Sequence, residues 1–149
     1  MKIKTIIVLL CFVIAIISIA PVNAKLDPDI YLRGDWTDEN NHRVLLDVWS
    51  DIGLKTKNPD SAKYSSARKS ELNTVNKIII KISGLKTTTF NKPTKGWKTE
   101  TSQSAYNHVI RKDFSVKGTY KELKNKDYSV TLYDKKNKIL KNKKGKLKY

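Results

Sequence analysis

Past its first two dozen residues the chain alternates. Apolar side chains recur at every second position or in short β-branched runs, and no long segment carries a stripe at helical spacing. The pattern predicts an all-β fold. Ile30-Tyr31-Leu32 opens a first strand behind the turn-prone Asp27-Pro28-Asp29, and Val44, Leu46 and Val48 alternate with Leu45, Asp47 and Trp49 in a second. Ile78, Ile80 and Ile82 mark a third, closed by Ser83-Gly84. Val109 to Val116 reads as a further strand, and Lys112, on the parity of Ile110, Phe114 and Val116, predicts a bulge there. Tyr128, Val130 and Leu132 share a face of the next one, after which Asp134 to Lys138 turns the chain into Ile139-Leu140 and a last strand ending near Leu147. Two stretches break the alternation. Residues 55–75 are polar around Asn58-Pro59-Asp60, with Ala62, Ala67 and Leu72 as their few apolar points; they form either a surface loop or one short helix capped by Asp60 or Ser61. Residues 85–104 read as a second long loop, broken by Pro93 and Gly96 around Phe90 and Trp97.

The leader follows a different rule. Lys2 and Lys4 precede a nearly unbroken apolar run from Ile6 to Ala20, and Pro21-Val22-Asn23-Ala24 ends in a small residue with Val22 at the minus-three position. This layout predicts a signal peptide at 1–24, cut after Ala24, and a single secreted domain at 25–149. An uncleaved anchor is the alternative, because Thr5 to Ala24 is uncharged and long enough to span a bilayer; Pro21 and the cleavage-like tripeptide favour removal. The 125 remaining residues can bury about two-thirds of the unfolded chain's surface. Cys11, the only cysteine, lies in the leader, so the processed chain is expected to hold together without disulfides. Bulky Leu10 before Cys11 argues against a lipid attachment. Nothing after Ala24 is long or apolar enough to cross a membrane.

Charge then narrows the partners. The leader takes two of the thirty basic residues and none of the fourteen acidic ones, leaving a net +14. Such a field concentrates polyanions: phosphate-rich wall polymers, acidic polysaccharides, anionic lipid surfaces or released nucleic acid. The plainer reading is that lysine is the solubilising residue. Lys135 to Tyr149 alone holds eight lysines, and Lys141, Lys143, Lys144, Lys146 and Lys148 are the candidate polyanion-binding residues. Lysines on a terminal strand also block edge-to-edge pairing without any ligand. Trp49 and Tyr133 are out of phase with the apolar sets and are expected on outer surfaces, where rings beside lysines stack on sugars or bases. Tyr64 and Trp97, in the two long polar stretches, are the candidate ligand-contacting aromatics; the competing reading is that Trp36, Trp49 and Trp97 cap the core.

Over about residues 109–149 the chain resembles immunoglobulin-like or fibronectin-like domains. The spacing of Leu123, Tyr128 and Val130 is similar to their tyrosine corner, in which a Tyr near the start of the penultimate strand bonds to backbone just upstream. The resemblance implies an immunoglobulin-like β-sandwich of about seven strands; a small β-barrel is the other possibility. The antibody-type cysteine pair is missing, and the Trp of the third strand is not evident. A second, fainter resemblance is to small secreted Bacillus proteins and implies no activity.

Other chemistries find weaker footing. Arg33-Gly34-Asp35 spells an integrin-recognised tripeptide, but recognition needs a projecting loop, and Gly34 reads better as bending or ending the first strand. Asp35, Asp38, Glu39 and Asn40 could offer oxygens to calcium, yet the EF-hand spacing and glycine are missing, and nothing opposes these acids across a cleft as a glycosidase requires. A secreted ribonuclease would need His42 and His108 as acid and base, with Arg111 or Lys112 stabilising charge. No nucleophile elbow, phosphate loop, zinc signature or nucleic-acid motif occurs. The expectation is a non-enzymatic protein without cofactor or metal, secreted or wall-associated, that binds an anionic cell-wall polymer or other extracellular polyanion. A secreted inhibitor or antagonistic toxin, acting on a protein partner or a competitor's membrane through 55–75 and 85–104, is the alternative, and the ribonuclease a third.

Overall fold

The computed structural model describes residues 27–36, 41–53, 57–58, 62–101 and 108–148. The leader with Cys11 and the expected cleavage site, the acids Asp38 and Glu39, and the expected helix caps Asp60 and Ser61 lie outside the described residues. Two four-stranded antiparallel sheets pack together as a sandwich. Sheet A is ordered β1 (Asp29–Trp36), β2 (Asn41–Trp49), β6 (His108–Lys117), β5 (Thr99–Thr101); sheet B is ordered β4 (Thr88–Asn91), β3 (Lys77–Ile82), β7 (Asp127–Tyr133), β8 (Ile139–Lys146).

The predicted alternation builds the interior. Ile30, Val44, Leu46, Val48 and Ile110 from sheet A meet Ile78, Ile80, Val130 and Leu132 from sheet B, all 0–1% exposed, and Leu147 joins them just past β8. Each such side chain contributes roughly 1.5–3 kcal/mol of burial. Tyr128 packs half-buried against the same core, on the face of Val130 and Leu132.

Several expectations change. The described strands number eight rather than about seven, because residues 85–104 contain β4 and β5, edge strands of four and three residues too short and Thr-rich to show a period. No bulge interrupts β6 beside β2: the register runs unbroken from Asn41↔Lys117 to Trp49↔Val109. Lys112 therefore sits opposite Leu46 on the inward parity, with its ammonium 5.3 Å from the Trp97 ring centre, an electrostatic contact that makes the position tolerable. The bulge falls instead between β7 and β8, where Leu140 is the extra residue and turns toward the core. Gly34 neither bends nor ends β1; it pairs with Val44, and its N–H donates to the Lys148 carbonyl at 2.8 Å. The Arg33-Gly34-Asp35 tripeptide thus lies inside a paired strand rather than on a projecting loop.

Residues 55–75 do contain a helix, α1 (Ser65–Thr74), entered through a 3-10 turn at Ala62–Tyr64. Its cap residue is Tyr64, which makes no side-chain capping bond, and its buried residues are Arg68, Glu71 and Leu72 while Ala67 is exposed. A one-turn helix, α2 (Tyr120–Leu123), drops Leu123 into the core and is fixed by a capping box. Thr119 Oγ1 accepts from the Glu122 N–H at 3.4 Å, and Glu122 Oε2 accepts from the Thr119 N–H at 2.7 Å. These bonds, first to the Thr119 backbone and then to its hydroxyl, hold the Glu122 carboxyl below the usual carboxylate range.

Candidate polyanion-binding surface

Strand parity divides the C-terminal lysines. Lys141 and Lys143 stand opposite Leu132 and Val130 on the inward parity of β8, whereas Lys144 and Lys146 stand opposite Ser129 and Asp127 on the outer face. An edge strand with inward-pointing charge needs partners, and β1 with the residues just before it supplies them. Lys141 bonds Asp27, Lys143 bonds Asp29 at 3.3 Å, and Lys148 accepts from Gly34; the three contacts share a sequence offset of 114 residues. A constant offset means that β1 and β8 run side by side in the same direction along one rim of the sandwich. Burial pushes the Asp29 carboxyl up, but the Tyr31 hydroxyl, the Ile30 N–H and Lys143 together hold it below its ordinary value. Lys146 pairs with its strand partner Asp127 at 3.0 Å. Three of the five candidate lysines are therefore engaged with carboxylates. Lys144 and Lys148 are exposed and form no ion pair among the described residues.

The outer face of sheet B adds cations that the lysine count of the C-terminus alone does not reveal. Register places Lys81, Ser129 and Lys144 in one row across β3, β7 and β8, and Lys77 beside Tyr133 in another. Tyr133 faces outward as expected, with the Lys77 ammonium 4.7 Å from its ring centre. The outer face of sheet A is balanced instead. Arg111 bonds Asp47 at 2.8 and 3.3 Å and Glu100 at 3.5 Å, and Arg43 bonds Asp113 at 3.0 Å.

The imbalance extends to the whole of each sheet. Residues 77–98 and 124–148, which build sheet B with its turns and the links to its neighbours, hold sixteen lysines against two carboxylates, a net +14. Residues 25–76 hold eight basic and nine acidic side chains, and residues 99–123 hold four and three, so these segments cancel. The net charge of residues 25–149 thus lies in the segments that build sheet B and in the links that enter and leave it.

The two candidate aromatics lie elsewhere. Trp97 is 6% exposed; it plugs the core and its Nε1 donates to the Val75 carbonyl, the capping arrangement weighed from sequence. Tyr64 is half-buried at the start of α1, and its ring, 2.7 Å from where a Gly53 Cβ would sit, leaves no space for a side chain at Gly53. Lys63 and Arg68 stand 4.9 and 5.8 Å from the Tyr64 ring centre. Neither ring joins the sheet B lysines.

A buried polar group lies beneath α1. Ser50 Oγ donates to Glu71 Oε2 and accepts from the Ile52 N–H at 3.3 Å, while Glu71 Oε1 has no hydrogen-bond partner among the described residues. Burial above all, with the charges of Asp51 and Asp27, outweighs the hydrogen bonds from Ser50 and the Asp27 backbone and pushes the Glu71 carboxyl up. A raised carboxyl favours the fold while protonated and costs stability as pH climbs through its folded value. Glu71→Gln is accordingly expected to stabilise the protein at pH 8 and to lose that advantage near pH 4, as read by urea denaturation at both pH values.

Ser65 Oγ and His108 Nε2 lie 2.7 Å apart, a spacing that invites a nucleophile reading. Geometry points the other way. His108 Nδ1 is buried without a hydrogen-bond partner among the described residues, and a buried unpaired N–H costs more than a bare lone pair. The tautomer that leaves no unpaired N–H carries its proton on Nε2 and donates to Ser65 rather than taking its proton. Burial, Lys69 and Arg68 also push the imidazole pKa down. His42, fully buried, pairs with Val116 at the opposite end of the β2–β6 ladder from His108, whose carbonyl meets the Ser50 N–H. Eight strand positions, about 26 Å, separate the two histidines, too far for one acid–base pair.

Among the described residues, no group of three or more His, Cys, Asp or Glu is placed to hold a metal ion, and no helix is long and apolar enough to cross a membrane. Compared with known proteins, the chain matches no family model and no curated sequence.

Proposed function

We propose that the protein is exported behind residues 1–24 and works outside the cell as a non-enzymatic, immunoglobulin-like sandwich that docks on anionic polymers through sheet B. The observation carrying this reading is the segregation of charge: +14 on one sheet's segments and zero on the rest. Lysines chosen merely for solubility would be spread over both sheets, as the paired arginines and acids of sheet A are spread over its outer face. Lys81, Lys144 and Lys148 are the contact cations, while Lys141 and Lys143 chiefly close the rim between β1 and β8 and Lys146 is held by Asp127 of β7.

The immunoglobulin-like assignment is supported by strand order. With β1 to β8 lettered A, B, C, C′, D, E, F and G, the sheets read ABED and C′CFG, the pairing of that sandwich class with one extra strand beside C. Tyr128 at the start of β7 stands where the tyrosine corner has its ring, although here its hydroxyl lies against Gly145.

Binding of the processed protein to immobilised heparin or purified anionic wall polymer is expected to weaken roughly a hundredfold between 50 and 200 mM salt, as for about four neutralised charges. Replacing Lys81, Lys144 and Lys148 by Gln should flatten that dependence by about one unit of log–log slope per lysine. Salt-independent binding, or none, would overturn the proposal.

A further inference from the structure

A cleft of about 620 Å³ opens where the C-terminal end of α1 meets the β7–β8 hairpin. That size is typical of small-molecule sites. One wall carries Lys135, Lys136 and Lys138 from the hairpin; Lys92 stands on the other, its ammonium on the Asn73 carbonyl at the end of α1. A single carboxylate, Asp134, lines the cleft, and its Oδ1 accepts the backbone N–H groups of Lys136 and Lys138, both at 2.8 Å. The turn thus uses the acid's lone pairs on backbone and leaves the three hairpin ammonium groups without an ion pair among the described residues. The amide of Asn76 and the half-buried side chain of Leu140 complete the lining with polar and apolar surface.

We propose that this cleft takes a phosphate group together with the sugar or polyol that bears it, as one unit of a phosphodiester-linked polymer. This rests on the docking reading above and adds the feature that would distinguish one polyanion from another. The chemistry follows from the donors. Four lysines, each a point charge, line the cleft, three on the hairpin and the fourth at Lys92, and the cleft contains no arginine fork of the kind that suits a planar carboxylate. A tetrahedral phosphate presents oxygens in several directions and can meet both walls together. Asn76 offers an amide to hydroxyls, and Leu140 gives the carbon skeleton an apolar rest. The exposed lysines of sheet B would then hold neighbouring units by charge alone.

The test compares two variants of equal charge. One replaces Lys135, Lys136 and Lys138 by Gln, which keeps the backbone donors to Asp134; the other replaces Lys81, Lys144 and Lys148 by Gln. Each is titrated at fixed salt against a synthetic glycerol-phosphate oligomer, heparin, and vesicles rich in phosphatidylglycerol. The cleft variant is expected to lose at least about tenfold more affinity for the oligomer than the sheet variant, whereas on heparin the sheet variant loses at least as much as the cleft variant. Equal losses on the oligomer would overturn the cleft while leaving sheet docking intact. A cleft-specific loss seen only on vesicles would assign the hairpin, with its exposed Ile139, to a lipid surface and overturn the polymer. Failure of the wild-type protein to bind any of the three in a salt-dependent way would sink the docking reading itself.

Discussion

Arg68→Ala is expected to lower stability by about 3 kcal/mol, through the cavity left by the long side chain and the carbonyl deprived of its donor. In a domain of this size that corresponds to a fall in Tm of roughly 10 °C or more. Arg68 is 0% exposed, and its Nε donates to the Ile52 carbonyl at 2.7 Å while the guanidinium lies over Tyr64. The side chain thus joins α1 to the segment leaving β2. Truncation removes the stem that fills the space, the donor to Ile52 and the cationic contact to the ring together. Two further variants separate these contributions. Arg68→Lys keeps the charge and loses the Nε donor; Arg68→Met keeps most of the volume and loses both. If filling matters more than charge, methionine should recover more than half of the alanine loss in urea denaturation. A loss below about 1 kcal/mol for Arg68→Ala would mean that α1 is docked mainly by Leu72 and Trp97.

Why α1 is hard to read from sequence follows from the same residue. A helix is normally recognised by an apolar stripe, and here two of the three buried positions are Arg68 and Glu71. The alternating strands are legible for the opposite reason: Val44-Leu46-Val48 and Ile78-Ile80-Ile82 report their burial directly through period two. Lys112 misleads that logic, because an inward lysine resembles a slipped register until the Trp97 face is known to lie beneath it. β4 and β5 were too short to carry a period, and Phe90 and Trp97, which suggest a functional loop, are instead half-buried and buried packing residues. The capping box at Thr119 and Glu122 was present in the sequence as Thr-Xaa-Xaa-Glu and could have located α2.

The lysine block was visible as composition but not as surface. Period two, shifted by the extra residue Leu140, sends Lys141 and Lys143 inward and Lys144 and Lys146 outward. Their carboxylate partners Asp27 and Asp29 lie 114 residues earlier, beyond any local pattern. One signal was available: residues 77–98 contain six lysines and no acid, and that run becomes meaningful once topology places it in the same sheet as the C-terminus. Charge segregation is therefore a property of the fold, assembled from two distant segments.

Gly145→Ala should cost about 1–3 kcal/mol even though alanine ordinarily improves on glycine within a strand. Gly145 faces Tyr128 across the β7–β8 pair, and an added methyl would lie 2.9 Å from the Tyr128 Oη, 3.0 Å from Cζ and 3.1 Å from Cε1. Those distances are inside van der Waals contact, so either the ring or β8 must move. Tyr128→Phe removes only the closest atom and should relieve the clash in part; Tyr128→Leu removes the ring and should nearly abolish the added cost. A double-mutant cycle in urea denaturation would then show coupling between the positions, with alanine costing less in the leucine background than in the wild type. Equal cost in both backgrounds would locate the penalty outside this contact. The coupling also bears on docking, because β8 carries Lys144 on one face and the Asp29 partner Lys143 on the other. If β8 yields rather than the ring, Gly145→Ala should weaken salt-sensitive polyanion binding with no charge removed; if the ring yields, binding should persist while stability falls.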